Sequence, residues 1–326
     1  MSRGECTSAA LSFPASATLL TLFLFPIPYS LFPIPHSLSP IPPPRPLTPA
    51  PSAAYHPRDM LSSTDAVRTA WRLLDTPPAP GAWNMAVDEA LADGVRDDGV
   101  PVLRFYRWNP ACLSLGRNQP SGGYDPDEIR RRGIDVVRRP TGGRAVLHHR
   151  ELTYSVIVRD GVLGSPRQAY AAINRALVAG LRRLGIDARL QPAGQGRAPI
   201  PSLAPCFEQP VEGEVTAGGG KLVGSAQRRD RGVILQHGSL PIDDDQSLVP
   251  ALMKAGTPVE PPTPPATLSA LLRRAPEWDE LVGALAAGWE ETMRVRLVRG
   301  QLSEAETRVA DEHRSHYENP AWTWHR

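Results

Sequence analysis

Lysine is nearly absent from this chain. Its 326 residues hold two, Lys221 and Lys254, and every other fixed positive side chain is arginine. Arginine stays charged and planar, whereas lysine offers a compact ammonium with three rotatable donors. A chain that keeps Lys221 among small, Gly-rich neighbours therefore points to a need for an amine there. Cysteine is scarce too: Cys6, Cys112 and Cys206 form an odd set with no C-x-x-C and no His/Cys cluster. That argues against a disulfide framework or a zinc site and fits a reducing, cytoplasmic setting. The net charge is only +2, so there is no electrostatic case for nucleic acid. The apolar stretch Leu19–Phe25 is too short to cross a bilayer. Arg3 is balanced by Glu5 and the apolar run leads straight into prolines, unlike a signal peptide.

Proline, by contrast, is abundant, and it crowds the first sixty residues. Leu24-Phe25-Pro26-Ile27-Pro28-Tyr29-Ser30 is followed by the near-copy Leu31-Phe32-Pro33-Ile34-Pro35-His36-Ser37. Proline at this density neither pairs in a sheet nor continues a helix. Residues 1–59 are expected to be a disordered extension, with Met60 a candidate start and 60–326 one catalytic domain. About 265 residues are enough for one sizeable core.

Past that point, strand and helix signals mix without strict βαβ repetition. Strands are expected at Val67–Asp75, Val102–Tyr106, Ala111–Leu115 and Leu152–Val158, and Ile134–Arg138 feeds the Gly-rich turn. Trp83, Ala86, Val87, Ala90, Leu91 and Val95 fall at helical spacing. Asp125-Pro126-Asp127-Glu128, Ser165-Pro166-Arg167-Gln168 and Ser303 to Glu306 read as capped helix starts. Leu222–Gln227 and Gly232–Pro241 read as paired strands turning at Arg228–Arg231. After a Pro-rich linker at Pro258–Pro265, helices are expected at Trp278–Met293 and Ser303–His313. The fold class is α+β with a mixed sheet.

Two segments carry the chemistry. Arg138 to Val158 begins R-R-P-T-G-G-R-A-V-L-H-H, where Gly142 and Gly143 allow φ > 0 and close approach to a ligand. Lys221 to Leu240 begins K-L-V-G-S-A-Q. Together with Trp83–Leu91, Leu103–Gln119, Pro205–Phe207 and the Trp322–Arg326 tail, they run in the order of one family. Residues 66–326 resemble the lipoate–protein ligase and octanoyltransferase family, which shares its fold with biotin protein ligases. Pro205-Cys206-Phe207 with a lysine fifteen residues after the cysteine resembles the cysteine-dependent octanoyltransferases. The chain departs from the family at position 149, where His replaces the usual Asp. It also departs at Val211–Val215 and at the glycines 218–220.

The resemblance implies a biotin/lipoate-ligase-like mixed sheet flanked by helices, with an acyl pocket beside it. It implies transfer of an octanoyl group from octanoyl-acyl-carrier protein, through a Cys206 thioester, to a lysine of a lipoyl domain or glycine cleavage H protein. Thiols are already strongly nucleophilic near neutral pH, and a nearby Lys221 ammonium favours the thiolate. Lys221 is expected to approach the acyl carbonyl and the amine. Arg139, Gly142, Gly143, Ala145, His148, Gly224, Ser225, Ala226, His237 and Gly238 are expected to line the substrate. His148 and His237 are possible proton shuttles, and His237 equally a structural hydrogen-bonder. Cys112 reads as structural. No metal, cofactor, membrane or nucleic acid is expected. The alternatives are an ATP-dependent lipoate–protein ligase, which would not need Cys206, and a non-catalytic lipoyl-binding protein.

Overall fold

The chain enters the fold as a parallel strand pair joined by a helix. β1 (Ala70–Asp75) leads through α1 (Gly81–Asp98) to β2 (Val102–Tyr106). Next come β3 (Cys112–Leu115), α2 (Pro126–Arg131), β4 (Asp135–Arg138), β5 (Val146–His148) and the long β6 (Glu151–Arg159). α3 (Pro166–Arg183) and the short strands β7 (Arg189–Leu190), β8 (Val215–Ala217) and β9 (Gly220–Lys221) precede the hairpin β10 (Gly224–Asp230) and β11 (Val233–Pro241). α4 (Leu268–Leu272), α5 (Trp278–Met293), β12 (Arg296–Gly300), α6 (Glu304–Glu318) and α7 (Pro320–Thr323) complete the order. This computed structural model describes residues 69–192, 213–258 and 264–325. Expectations for residues 1–59, for Cys206 and its proline-rich approach, and for part of the 258–265 linker lie outside them.

Six strands form one mixed sheet in the order β10-β11-β6-β2-β1-β12. β12, β1 and β2 run parallel, and β2, β6, β11 and β10 pair antiparallel. Successive side chains of a strand point to opposite faces, and β6 shows the division. Leu152, Tyr154, Val156 and Val158 pack with Ile173, Leu177 and Leu181 of α3 and Leu281, Leu285 and Trp289 of α5. On the other face, Ile157 packs with Val87, Leu91 and Val95 of α1 and Ala310 and Tyr317 of α6. The mixed sheet flanked by helices is as expected. A smaller sheet, β4-β3-β5, lies under the Gly-rich turn.

The three capped starts form as the sequence implies. The Asp125 side chain accepts from the Asp127 and Glu128 amides, and Ser165 and Ser303 both close capping boxes. The β10–β11 turn is shorter than expected. Arg228 continues the strand, paired with Leu235. The turn is Arg231-Gly232, both at positive φ (47° and 79°), as a two-residue hairpin requires. Arg228 stays in register because its guanidinium bridges Glu89 of α1 and Asp230. α6 runs to Glu318 rather than stopping at His313. β12 is an addition: its side chains are largely exposed, so it has no apolar signature. Among the described residues, no helix is long and apolar enough to cross a membrane.

Candidate active site

A cleft with about 440 Å³ of open space lies between the Gly-rich turn and the β10–β11 hairpin. It gathers eight of the ten residues expected to line a substrate: Arg139, Gly143, His148, Gly224, Ser225, Ala226, His237 and Gly238. Met85, Tyr106, Trp108, Ser114, Val146, Thr153 and Ser239 complete the wall, whose accessible surface is almost wholly apolar. Gly143 is exposed and Ser225 and Ala226 half-buried, so they mark the mouth. Gly142 and Ala145 are not on the wall. Gly142 offers its carbonyl to Arg139, and Ala145 is buried beneath the turn with Leu113 and Leu115.

The turn is held by Arg139. Its Nε and Nη2 donate to the Gly142 carbonyl at 3.2 and 2.8 Å, and Nη2 donates to the Arg144 carbonyl at 2.7 Å. Its Nη1 donates to the Ser114 carbonyl and hydroxyl, both at 3.0 Å. All five N–H directions of a guanidinium are thereby used, so Arg139 acts as a staple for the turn. Gly143 takes φ +92°, and a side chain on Gly116 would collide with its carbonyl. Gly238 is required for the same kind of reason: a Cβ there would lie 2.6 Å from the Tyr154 ring and 2.7 Å from the Gly224 carbonyl.

The polar residues behind the wall are matched among themselves in two relays. In the first, His237 Nε2 meets Thr141 Oγ1 at 2.6 Å and Nδ1 meets Asp88 at 3.3 Å. Asp88 also accepts from Arg104 and the Ser155 hydroxyl, each at 2.8 Å. Burial pushes the Asp88 carboxyl up, but the bonds from His237 and Ser155 and the Arg104 charge outweigh it and hold it below the usual range. Burial lowers the His237 imidazole, more than Asp88 raises it. His237 is therefore a neutral ring near pH 7 with both nitrogens engaged.

In the second relay, His148 Nε2 meets Ser114 Oγ at 2.7 Å and Nδ1 meets Glu151 at 2.8 Å. Glu151 also accepts from the Ser239 hydroxyl at 2.5 Å and from the Thr153 hydroxyl. The His148 ring lies flat on Trp108, with centroids 4.1 Å apart, and the Trp108 Nε1–H donates to Thr153 at 2.7 Å. Buried polar groups are costly unless paired. Their pairing here turns carbon faces to the cleft, a surface suited to an alkyl chain. In this arrangement both ring nitrogens of each histidine are engaged by protein groups.

Lys221 is not on the cleft wall. It lies three residues before Gly224, in the β8–β9 hairpin that turns through Gly218 and Gly219 at φ 58° and 83°. These glycines make a tight turn. The Lys221 ammonium donates to Glu214 at 2.8 Å, and both residues are buried. His149, at the position of the usual family Asp, is exposed and meets Asp245 at 3.3 Å. Cys112 is fully buried, and burial pushes its thiol well above the usual range. Among the described residues, no three His, Cys, Asp or Glu side chains gather as a metal would need.

Sequence reading missed Asp88, Glu151 and Glu214. Two of them left a signal. Asn84, Asp88, Leu91 and Val95 share the buried stripe of α1, so Asp88 is a carboxylate at a core position. Glu151, Thr153 and Ser155 alternate along β6 on the face opposite Leu152, Tyr154 and Val156, polar where a strand between two helical layers should be apolar. Glu214 left none, because only the hairpin register brings it to Lys221.

Residues 80–290 match the family described as the lipoyl protein ligase A/B catalytic domain. The chain belongs to that family. Octanoyltransferase LipM of Symbiobacterium thermophilum is 42% identical over 259 residues, covering 75% of this chain and 94% of that protein. Octanoyltransferase LipM of Kyrpidia tusciae is 41% identical over 277 residues, covering 78% and 98%. Among solved structures, lipoate-protein ligase A bound with ATP superposes with a TM-score of 0.65 at 26% identity, covering 78% of this chain and 98% of that one. The bipartite lipoate protein ligase of Thermoplasma acidophilum gives 0.63 at 25% identity, covering 78% and 96%.

Proposed function

We propose that this protein is an octanoyltransferase of protein lipoylation, moving an octanoyl group from octanoyl-acyl-carrier protein to a lysine of a lipoyl domain or H protein. The observation that carries the reading is the 42% identity to an octanoyltransferase across 94% of that enzyme's length. The apolar cleft supports it, since an eight-carbon chain needs carbon surface and no polar partners along its length. Cys206 is the nucleophile. Its thiolate attacks the carrier thioester, the C–S bond to the carrier breaks, the carrier leaves as a thiolate that takes up the proton Cys206 gave up, and the acyl group rests on the Cys206 sulfur. The acceptor amine then attacks, the C–N bond forms, the C–S bond breaks, and the amine proton ends on the Cys206 sulfur. Lys221 meets the developing oxyanion, a role typically worth ~3–4 kcal/mol of transition-state stabilisation.

A second reading, an ATP-dependent lipoate ligase, is favoured by the fold shared with an ATP-bound ligase. One experiment separates the two. The protein is incubated with octanoyl-acyl-carrier protein and a lipoyl domain without nucleotide, and the products are weighed by intact-protein mass spectrometry. Octanoylated lipoyl domain, with an octanoyl-enzyme adduct absent from Cys206→Ser, is the expected result. Use of free octanoate with ATP, and not of the carrier thioester, would establish the ligase instead.

A further inference from the structure

The Lys221–Glu214 pair is stranger than a catalytic lysine requires. Both residues are nearly removed from solvent, at 5% and 6% exposure, with nitrogen and oxygen 2.8 Å apart. Taking two charges out of water costs more than their attraction commonly returns, so such a pair is weak evidence of a role in stability. Nor does the hairpin need it. The turn is made by Gly218 and Gly219 at positive φ, and the register by Thr216 opposite Lys221. Ala217 and Leu222 are buried apolar residues of the same hairpin, and apolar side chains would have served at 214 and 221 as well. What the pair does supply is a fixed position and a fixed charge for one ammonium, three residues before the cleft wall begins at Gly224.

We infer that Glu214 is a positioning residue for acyl transfer: it keeps Lys221 an ammonium and aims it at the acyl carbonyl. This rests on the octanoyltransferase reading above. It also divides the two duties that a lysine here could have. An ammonium held by a carboxylate is a donor and not a base. Lys221 therefore stabilises the oxyanion and takes no proton from the acceptor. The proton balance does not need it to. The attacking amine gives up one proton, the departing Cys206 thiolate takes one up, and amide plus thiol result.

A double-mutant cycle tests the inference on the full chain, with octanoyl-acyl-carrier protein as donor and a lipoyl domain as acceptor. Glu214→Gln keeps the size and an acceptor oxygen but removes the charge. It should fold and lose about ten- to a hundredfold in kcat, with KM for the acceptor nearly unchanged. Glu214→Asp, which keeps a carboxylate, should retain more kcat than Glu214→Gln. That comparison decides even if the amide variant is thermally weakened. The double variant Glu214→Gln/Lys221→Ala should be no slower than Lys221→Ala alone, because the carboxylate acts only through the lysine. A wild-type kcat in Glu214→Gln, multiplying losses in the double variant, or an aspartate variant slower than the glutamine one would each overturn the role of Glu214. Full transfer in Lys221→Ala would instead overturn the reading of Lys221 itself, which separates the two failures.

Discussion

Gly180 of α3 and Gly288 of α5 meet backbone to backbone. A Cβ on Gly180 would lie 2.6 Å from the Leu285 Cα, and one on Gly288 would collide with the Gly180 amide. The two helices cover the sheet face opposite the cleft, so their spacing fixes how Trp289 and Leu285 seat on β6. Neither glycine sits at positive φ, so closeness and not backbone strain excludes a side chain. Gly288→Ala should cost about 1–3 kcal/mol or more by overpacking. Since the pair is on the far face, kcat of the folded fraction should hold. The check is a melting curve beside an activity measurement. Unchanged melting would mean that the helices part easily.

Such a contact is also a measure of what sequence can reveal. The stripe of Ile173, Leu177 and Leu181 announced α3 and its buried face. Nothing local announced that Gly180 would meet Gly288, because the meeting depends on two helices arranged by the sheet between them. The same divide runs through the site. Gly143, His148, Gly224 and His237 were legible as members of two motifs, and the cleft brings them together. Arg139 was legible as a motif residue, but its use as a staple depends on where the Gly142 and Arg144 carbonyls turn. Glu214 was invisible because a hairpin register, set by Thr216 and Lys221, places it.

Acid should weaken this fold through the Asp88–His237 pair. Burial holds the His237 imidazole below its ordinary 6.5, so the unfolded chain binds the extra proton first. Stability contributed by the neutral ring is intact above about pH 6.5 and lost as pH falls toward the folded-state value. His316, an exposed residue whose imidazole is also lowered, adds a weaker slope of the same sign. Asp88, held below 3.8, contributes stability that persists above its unfolded value and disappears only in stronger acid. The melting temperature should therefore decline from about pH 7 to about pH 5. His237→Asn, which cannot titrate, should show a flatter decline. Equal slopes in the two proteins would remove His237 as the source.

Cys112 should be silent towards thiol reagents in the native protein. Its side chain is fully buried, and burial, reinforced by nearby Asp135 and Glu151, pushes the thiol well above its usual range. The thiolate is the reactive form. A Cβ on Gly81 would come within 2.5 Å of its sulfur, so the packing there is tight. Iodoacetamide at neutral pH, followed by peptide mapping, should leave Cys112 unmodified while denatured protein is labelled there. Cys112→Ala should lower stability by about 1–2 kcal/mol and leave octanoyl transfer intact. Loss of transfer in the folded variant would move the nucleophile away from Cys206.

Lys221→Arg separates charge from shape at the site that lysine scarcity first singled out. Arginine keeps the positive charge and can meet Glu214 with two parallel hydrogen bonds, so the buried pair is preserved and the variant should fold. The guanidinium is planar and broader, and its bidentate grip on Glu214 would hold it away from the acyl carbonyl. A donor misplaced by ~1 Å can cost on the order of a hundredfold in rate. Transfer should therefore fall by about two orders of magnitude while the melting temperature stays close to wild type. If Lys221 served only to neutralise Glu214, arginine would serve as well and turnover would be normal. Lys221→Ala supplies the contrast. It takes the ammonium away from the buried Glu214 carboxylate, a loss expected to cost about 3–5 kcal/mol, and should lose both stability and transfer. A stable, inactive arginine variant beside a destabilised, inactive alanine variant is the pattern that a positioned ammonium requires. A stable and active arginine variant would reduce Lys221 to a counter-ion.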